Sequence, residues 1–489
     1  MRQTIEFAEW LPDQAPLGNV GVEAKNVISW SRGYRSFPSS AVYSDAITAR
    51  AQGAYVARDN AGTVYNIAGD ATKLYQLSSG TTYSNSTRAT GGAYATAADE
   101  WWQFAQWGNT VIATNFVDDP QMMTLGGTNF SLLAGSPPKA RYISVIRDFV
   151  CLGNVASGGI AYPNRVQWSG INDSTAWTVS AVTQADYQDL QGDGGWVQKI
   201  IGGEYGLVFQ ERAVWRMQYI GSPVIFQFDL IERARGAYSS QAVVAFGNMV
   251  FFLADDGFYM IQGGAGAVPI GDGKVDRYFL ADLRTEYAYR INAVIDPINK
   301  LVIWAYPGSG SSGGTPNKLV IFNWTNGKWS RVETETECLV QYAAIYYTLE
   351  GLDAISASLD ALGVSLDSRV WTAGARSLAA FNASHKLVTF SGVAMDATLD
   401  TGEIALGQGS RTDVTNVEPL VDGSTANVSV GERNLLSAAV SFQTAVAQND
   451  FGDVPVRSNA KFHRFRVTTT GAFNFAQGVR VDHEAGEER

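Results

Sequence analysis

The sequence predicts an all-β protein whose main part is a β-propeller. Three observations support this fold class. Hydrophobic residues make up 46% of the chain and aromatic residues 12%, Gly occurs at 50 of 489 positions, and short apolar runs alternate with turns. Aromatic and β-branched residues favour strands, whereas Gly and Asp–Gly pairs favour tight turns. With 17% charged residues, the composition is that of a globular protein.

A hairpin pattern recurs along most of the chain. Its clearest copy is FGNMVFFLADDGFYMI at 246–261, in which an Asp–Gly turn separates two apolar strands. Similar copies occur near positions 53, 108, 147, 206 and 299, and a weaker one begins at Val340. A period of ~40–50 residues with about four strands per unit is typical of propellers, because stacked blades cover one another's faces.

This repeat predicts a propeller of six or seven blades over residues 51–395. The alternative is a series of unrelated hairpins in sandwiches. The stretch DRYFLADLRTEYAYRINAV, from Asp276, has apolar positions at helical spacing and predicts a helix between two blades. The Gly-rich stretch from Gly308 to Pro316 lies between two apolar runs and is interpreted as a hairpin loop.

The two ends of the chain differ from the repeat. Residues 1–50 scatter Pro, Gly and Ser among single aromatics and predict an extended N-terminal arm. Residues 396–481 alternate apolar and polar positions, which predicts a β-sandwich-like domain. Residues 482–489, DHEAGEER, are interpreted as a frayed charged tail.

A Leu–Asp pair recurs every seven residues in LDAISASLDALGVSLDS, at 352, 359 and 366. Two heptads that include Gly363 are too short for a stable coiled coil. The segment is therefore interpreted as a blade connection whose Leu residues touch the core. The alternative is a loop aimed at a partner or into a channel.

Charge and cysteine content limit the possible functions. The formal net charge of −11 argues against tight binding of nucleic acid, which needs cations that neutralise phosphates. Two cysteines, Cys151 and Cys338, are too few for a disulfide framework and are expected to be free, buried thiols in a protein made in a reducing cytoplasm. The chain shows neither a secretion signal nor an apolar run long enough to predict a membrane span.

No motif points to enzymatic chemistry, so we expect no catalytic, cofactor-binding or metal-binding residue and no cofactor. The three histidines, His385, His463 and His483, lack metal-ligand spacing. His463 is expected to share a strand face with Phe465 in a packing position.

The stretch SGINDSTAWT at 169–178 resembles the Asp-box turn of propeller sialidases, with Asp173 and Trp177 as its marked residues. A glycosidase needs a matched pair of carboxylates at a defined separation, and one imperfect copy of a turn does not supply that pair. A tight turn with Trp177 packed between blades is the favoured interpretation.

A likeness to one known family runs from about residue 18 to the last strands of the chain. The strings that carry it are NVISWSRGYRSFPSS, WWQFAQWGNTVIATN, SPPKARYISVIRDFVCLGN, PNRVQWSGINDSTAWT, GEYGLVFQERAVWRM, SPVIFQFDLIE and YYTLEGLDAISASLDAL. Together they resemble phage tail nozzle proteins, the β-propeller packaged-DNA stabilisation proteins of short-tailed bacteriophages. None of the strings is a catalytic motif, and the family offers no catalytic residues to carry across.

The resemblance implies a non-enzymatic virion protein that assembles in the host bacterial cytoplasm into a homo-oligomeric ring, expected to be a hexamer. The ring would lie below the portal and adaptor proteins of the tail, extend the DNA channel, retain the packaged genome and carry fibres or a needle. Double-stranded DNA would pass through without sequence-specific binding; no channel or gate residue is assigned. The alternatives are a propeller glycosidase or depolymerase and a receptor-binding adaptor propeller of a virion.

Overall fold

A computed structural model of the chain describes residues 1–343, 356, 358, 376–407, 410–423 and 425–485. Within these residues the regular structure is almost entirely strand, so the predicted all-β class is confirmed. The Leu–Asp heptads at 352, 359 and 366 lie outside the described residues. The first five strands are β1 (Arg2–Glu6), β2 (Glu23–Lys25), β3 (Val27–Trp30), β4 (Gly33–Ser36) and β5 (Pro38–Ala46).

Four antiparallel sheets of four strands, blades 1 to 4, come next. Blade 1 contains β6 (Ala54–Arg58), β7 (Val64–Gly69), β8 (Leu74–Leu77) and β9 (Ser84–Asn85). Blade 2 contains β10 (Gln103–Trp107), β11 (Thr110–Thr114), β12 (Gln121–Thr124) and β13 (Ser131–Leu132). Blade 3 contains β14 (Lys139–Ile146), β15 (Phe149–Ser157), β16 (Ile160–Trp168) and β17 (Asp186–Asp189). Blade 4 contains β18 (Val197–Ile201), β19 (Gly206–Gln210), β20 (Val214–Gly221) and β21 (Ile225–Glu232).

Three further units of four strands, blades 5 to 7, complete the series in the described residues. Blade 5 follows a 3₁₀ helix (Ser240–Ala242) and contains β22 (Val243–Phe246), β23 (Met249–Leu253), β24 (Phe258–Gln262) and β25 (Val268–Pro269). Helix α1 (Asp276–Asp282) and a 3₁₀ segment (Thr285–Arg290) lead to blade 6, with β26 (Asn292–Asp296), β27 (Leu301–Tyr306), β28 (Lys318–Asn323) and β29 (Lys328–Glu333). Blade 7 contains β30 (Cys338–Ala343), β31 (Arg376–Phe381), β32 (Lys386–Ala394) and, as its fourth strand, β5.

The blades form a closed ring. The first strand of each blade contacts the first strand of the next, and β30 of blade 7 contacts β6 of blade 1. Because β5 comes from the N-terminal part of the chain, blade 7 joins residues that are more than 300 positions apart in sequence. The β-propeller predicted from the repeat is confirmed, and its closure joins the two ends of the propeller sequence.

The local predictions within the propeller are also confirmed. The stretch 246–261 covers the end of β22 and all of β23 and most of β24, with Asp255, Asp256 and Gly257 in the turn between the last two strands. A helix lies between blades 5 and 6 as expected, but α1 covers only Asp276–Asp282 of the predicted stretch; a 3₁₀ segment (Thr285–Arg290) follows, and residues 292–294 belong to β26. The Gly-rich loop at 308–316 connects β27 to β28.

A substitution of Tyr43 on β5 can test how strongly this strand holds the ring closed. Its side chain is buried and lies against Tyr342 of β30, with ring centroids 4.6 Å apart. Tyr43→Leu is expected to lower the free energy of unfolding by about 2 kcal/mol, because the smaller side chain leaves part of this space empty. The control is Val42→Ala on the same strand, since Val42 is 60% exposed. Urea denaturation measures both variants; equal losses would contradict the expected packing role of Tyr43.

The remaining strands form a two-sheet sandwich together with β1–β4. They are β33 (Ala397–Asp400), β34 (Thr412–Val421), β35 (Ala426–Arg433), β36 (Ser441–Phe442), β37 (Val446–Ala447), β38 (Val454–Ala460), β39 (Phe462–Thr469) and β40 (Ala476–Ala485). One sheet has the order β3-β4-β40-β34-β38, with β1 paired to β40. The other continues from β2 through β33 and β39 to β35, which also pairs with β36 and β37.

The structure changes the two terminal boundaries expected from sequence. Residues 1–50 are divided between the sandwich, which contains β1–β4, and blade 7, which contains β5. The expected tail at 482–489 begins inside β40, where Val481 and His483 are buried and pair across to β34. Backbone pairing explains both differences, because each segment satisfies its N–H and C=O groups in an existing sheet.

Blade 6 and the sandwich share one continuous sheet. Strand β2 pairs in parallel with β29 of blade 6, where Lys25 faces Arg331, and antiparallel with β33 of the sandwich, where Glu23 faces Asp400. The result is a ten-stranded sheet that crosses from one part of the protein to the other. We call the contact between β29, β2, β33 and β39 the seam.

Ion pairs run across the seam. Glu333 accepts from Lys25 at 2.5 Å and from Arg331 at 2.6 Å. Arg331 in turn donates to both oxygens of Glu23, each at 2.7 Å.

The row of charges continues on the sandwich side. The carboxylate of Asp400 is fully buried and accepts from Arg464 and, at 2.8 and 2.9 Å, from two nitrogens of Arg466. The Arg466 guanidinium also lies 4.1 Å from the ring centre of Phe442. Paired guanidinium and carboxylate groups thus connect the strands side by side, in addition to the backbone ladder.

Candidate functional site on the propeller axis

A cavity of about 280 Å³ lies where the first strands of the blades surround the propeller axis. Its walls come from blades 1, 2, 4, 5, 6 and 7 and the turns that precede their first strands. They include Tyr55, Trp102, Gln103, Phe104, Lys199, Gln241, Val244, Asn292, Val294, Cys338, Val340 and Gln341. The inner strands have small or apolar residues at many positions, so the few polar side chains stand out. We call this space the axial cavity.

Lys199 is the charged residue that lines the axial cavity. It lies on β18, and its Nζ donates to Gln103 Oε1 at 2.8 Å and to Gln241 Oε1 at 3.5 Å. These partners come from blade 2 and from the turn before blade 5, so the lysine connects blade 4 to both of these parts of the ring. Among the ion pairs of the described residues, none involves Lys199. Burial lowers the pKa of its ammonium to about 8.

Two further polar atoms at the cavity have no hydrogen-bond partner within the described part of the chain. They are Nε2 of Gln241 and Oδ1 of Asn292. The other amide atom of Asn292, Nδ2, donates to the backbone oxygen of Leu339 at 3.0 Å. A buried polar group without a partner costs about 1–3 kcal/mol. Almost no surface of either atom is accessible, so a polar ligand in the cavity would bond to them after a rotation of their amide groups.

Blades 7 and 1 meet beside the axial cavity through Glu337. This residue precedes β30 and is 4% exposed. Its Oε2 accepts the backbone N–H of Ala51 at 3.1 Å, and its Oε1 lies 2.7 Å from His385 Nδ1. Glu337 therefore ties the start of blade 1 to blade 7 and gives His385 a structural partner.

Two arginines lie near the same junction. Arg50 donates to the backbone oxygen of Ala98 at 2.6 Å, and Arg290 donates to that of Gly313 at 3.0 Å. Burial lowers the pKa of both guanidinium groups, and the charge of Arg290 adds to the effect on Arg50. Their contacts to backbone oxygens fix loops at this end of the propeller.

The histidines singled out in the sequence are not brought together. His463 is fully buried, shares its face with Phe465 as expected, and lies 3.0 Å from Thr412 Oγ1 and 3.1 Å from Ser458 Oγ. Burial lowers its pKa. His483 lies on β40 of the same sandwich and its charge also lowers the pKa of His463, whereas His385 lies on the turn before β32 in the propeller.

Both cysteines are free and buried, as expected from the sequence. Burial raises the pKa of the Cys338 thiol to about 12 and raises that of Cys151 as well, so both thiols stay protonated. Within the described ranges, no three or more His, Cys, Asp or Glu side chains are grouped so as to hold a metal ion. The helices of the same ranges include none long and apolar enough to cross a membrane.

The segment that resembles an Asp-box is a tight turn. Asp173 Oδ1 accepts from the backbone N–H of Thr175 at 2.8 Å and from its hydroxyl at 2.7 Å, and these bonds lower the pKa of the carboxyl. Trp177 is 5% exposed and packs among residues of blades 2 and 3, including Ile112 and Val150. The interpretation as a turn with a tryptophan packed between blades is confirmed.

Sequence reasoning did not single out Lys199. The only available signal was a lysine inside the mainly apolar stretch WVQKII at 196–201. A lysine in a strand usually reaches the outer surface, and only the ring of blades shows that this one faces the propeller axis.

A scan against protein-family models finds no match, and a search of curated proteins finds none either. Solved structures with a similar fold include the computationally designed Ika8 protein, at 9% identity and a TM-score of 0.39 over 73% of this chain and 99% of that chain. YCF48 bound to a D1 peptide is 10% identical with a TM-score of 0.37, over 63% of this chain and 86% of that one. BamB from Moraxella catarrhalis is 12% identical with a TM-score of 0.37, over 80% and 97%. At these identities and scores the likenesses carry no argument about function.

Proposed function

We propose that this chain is a structural subunit of a short phage tail, in a nozzle ring that extends the DNA channel and retains the packaged genome. The resemblance of the strings between residue 18 and the last strands suggests this role. The structural observation that supports it best is the seam, because it joins the propeller and the sandwich through one sheet and a row of ion pairs.

A continuous sheet suits a ring that has to resist internal pressure. Two modules joined by a flexible linker would move relative to each other when pressed, whereas a shared sheet keeps their orientation fixed. The propeller is likewise closed by β5 rather than by a loose end. In this proposal each subunit is one rigid block, and partners contact the ring through outer strands and the sandwich.

The acidic balance of the chain fits a conduit for DNA. A net charge of −11 makes phosphate binding weak, and acidic residues on the channel wall would repel the DNA at short range. In the proposed hexamer, the channel wall therefore carries more Asp and Glu than the outer face. A reconstruction of the assembled ring with a basic lumen would contradict this part of the proposal.

The position of the chain in the particle is the decisive test. We expect antibody against this chain, imaged by electron microscopy on the source particle, to label the distal end of a short tail below the portal. The reconstruction should show a ring of six copies there. Label on the fibres, or a particle that lacks the chain, would contradict the nozzle role; an assay of glycan hydrolysis would then test the glycosidase alternative.

A further inference from the structure

The axial cavity holds a positive charge without a counter-ion. Lys199 Nζ is surrounded by blades 2, 4 and 5, and the neighbours that accept its hydrogens are the neutral amides of Gln103 and Gln241. The side chain of Lys199 is half-buried, and withdrawing a cation from water is costly unless the charge is paired; the ion pairs of the described chain include none with Lys199. An anion that entered the cavity would remove this cost.

The polar atoms around Lys199 also define what kind of anion fits. The ammonium has three N–H groups, and two of them point to amide oxygens. Nε2 of Gln241 is a second donor without a partner, on the residue that already contacts the lysine. A donor pair of this kind matches the two oxygens of a carboxylate. Asn292 Oδ1 is an acceptor without a partner at the same cavity.

We propose that the axial cavity binds a small carboxylate, held by the ammonium of Lys199 and the amide of Gln241. A volume of about 280 Å³ has room for a small molecule. Asn292 accepts a hydrogen bond from a hydroxyl or amine in its organic part, while Tyr55 and Phe104 contact its apolar atoms. This binding is independent of the role in a tail, and it would make the propeller more stable when the carboxylate is present.

Lactate and its neutral amide, lactamide, distinguish charge recognition from simple occupancy. They are nearly identical in shape, and both carry a hydroxyl that can donate a hydrogen bond to Asn292. We expect lactate to raise the melting temperature of the full chain with a saturable dependence on concentration, and lactamide to leave it unchanged. Equal shifts with both compounds, or no shift with lactate, would overturn the proposal. Calorimetric titration with the same two compounds gives the affinity directly.

Lys199→Met keeps the length of the side chain and removes its charge. We expect this variant to bind lactate at least tenfold more weakly than the wild type. The matched control is Lys461→Met, because Lys461 is an exposed lysine at the start of β39 and should leave binding unchanged. Wild-type affinity in Lys199→Met would overturn the proposal.

Gln241→Glu is a second variant that keeps the lysine. It places a carboxylate where the amide oxygen of Gln241 lies, 3.5 Å from Lys199 Nζ. The chain then supplies its own counter-ion, so we expect a higher melting temperature without ligand and a lactate affinity at least tenfold lower. Lactate binding as tight as in the wild type would overturn the proposal, even if Lys199→Met failed to fold.

Discussion

Asp400→Asn is expected to lower the free energy of unfolding by about 3–5 kcal/mol. The Asp400 carboxylate has no exposed surface and accepts from Arg464 and from two nitrogens of Arg466. The substitution keeps the shape of the side chain but removes the charge that both guanidinium groups face. The midpoint of urea unfolding, followed by tryptophan fluorescence, measures the loss.

Glu286→Gln is the matched control for this prediction. Glu286 pairs with Arg284 at 2.7 Å, but the two side chains are 54% and 38% exposed, so solvent screens the pair and we expect a much smaller loss than in Asp400→Asn. Equal losses in Asp400→Asn and Glu286→Gln would contradict the special role of the buried pair. Adding Arg464→Gln and Arg466→Gln to Asp400→Asn should recover part of the stability, since no uncompensated charge then remains.

The repeat was predictable because its signal is local. The turn between the first and second strands of a blade contains polar or Gly residues and a position with positive φ, as at Gly108, Arg147 and Gly247. Such turns stand out between apolar runs in any single window of sequence. The positions singled out in the sequence accordingly fall in separate blades.

The closure of the ring and the seam were not predictable in the same way. Strand β5 pairs with β32 more than 300 residues later, and β2 inserts between β29 and β33. A strand's own residues show that one face is buried, but they do not identify the strand across from it. The sequence of residues 1–50 therefore predicted an extended arm, although all five of its strands, β1–β5, pair in sheets.

The axial cavity was not predictable from the sequence for a related reason. Gln103, Lys199, Gln241 and Asn292 lie in four different blades or the turns that precede them, and each is an unremarkable polar residue in its own segment. Only the closed ring of blades places these four residues around one cavity. A single sequence predicts the ring as a class but does not give the register of each inner strand.

Asp276→Asn is expected to stabilise the chain at pH 8 by about 3 kcal/mol more than at pH 5. Asp276 begins helix α1, is 7% exposed, and accepts the backbone N–H of Phe258 at 3.1 Å. The backbone of Gly257 and Gly271 packs directly against its carboxyl group. A Cβ added to either glycine would lie 2.2 or 2.0 Å from a carboxyl oxygen, so neither position has room for a side chain. Burial is the main cause that raises its pKa to about 7, and Asp13, Asp272 and Asp256 add to the effect.

The sign of the pH dependence follows from where the proton is bound. Between about pH 4 and 7 the folded chain keeps a proton on Asp276 that the unfolded chain, with its ordinary carboxyl pKa of 3.8, has released. The free energy of unfolding of the wild type therefore falls as the pH rises, by ~1.4 kcal/mol per pH unit, and this decline ends above pH 7. Asparagine binds no proton and removes the decline, while its Oδ1 still accepts the N–H of Phe258.

Urea midpoints of wild type and Asp276→Asn at pH 5 and pH 8 measure this difference. Asp450→Asn is the control, because Asp450 is exposed and is not among the carboxylates that raise the pKa of Asp276, so this variant should keep the pH dependence of the wild type. A gain for Asp276→Asn that is equal at both pH values would show that the carboxyl of Asp276 titrates normally. A gain confined to pH 8 would show that the folded chain holds this carboxyl group in its neutral form, at the place where α1 meets blade 5.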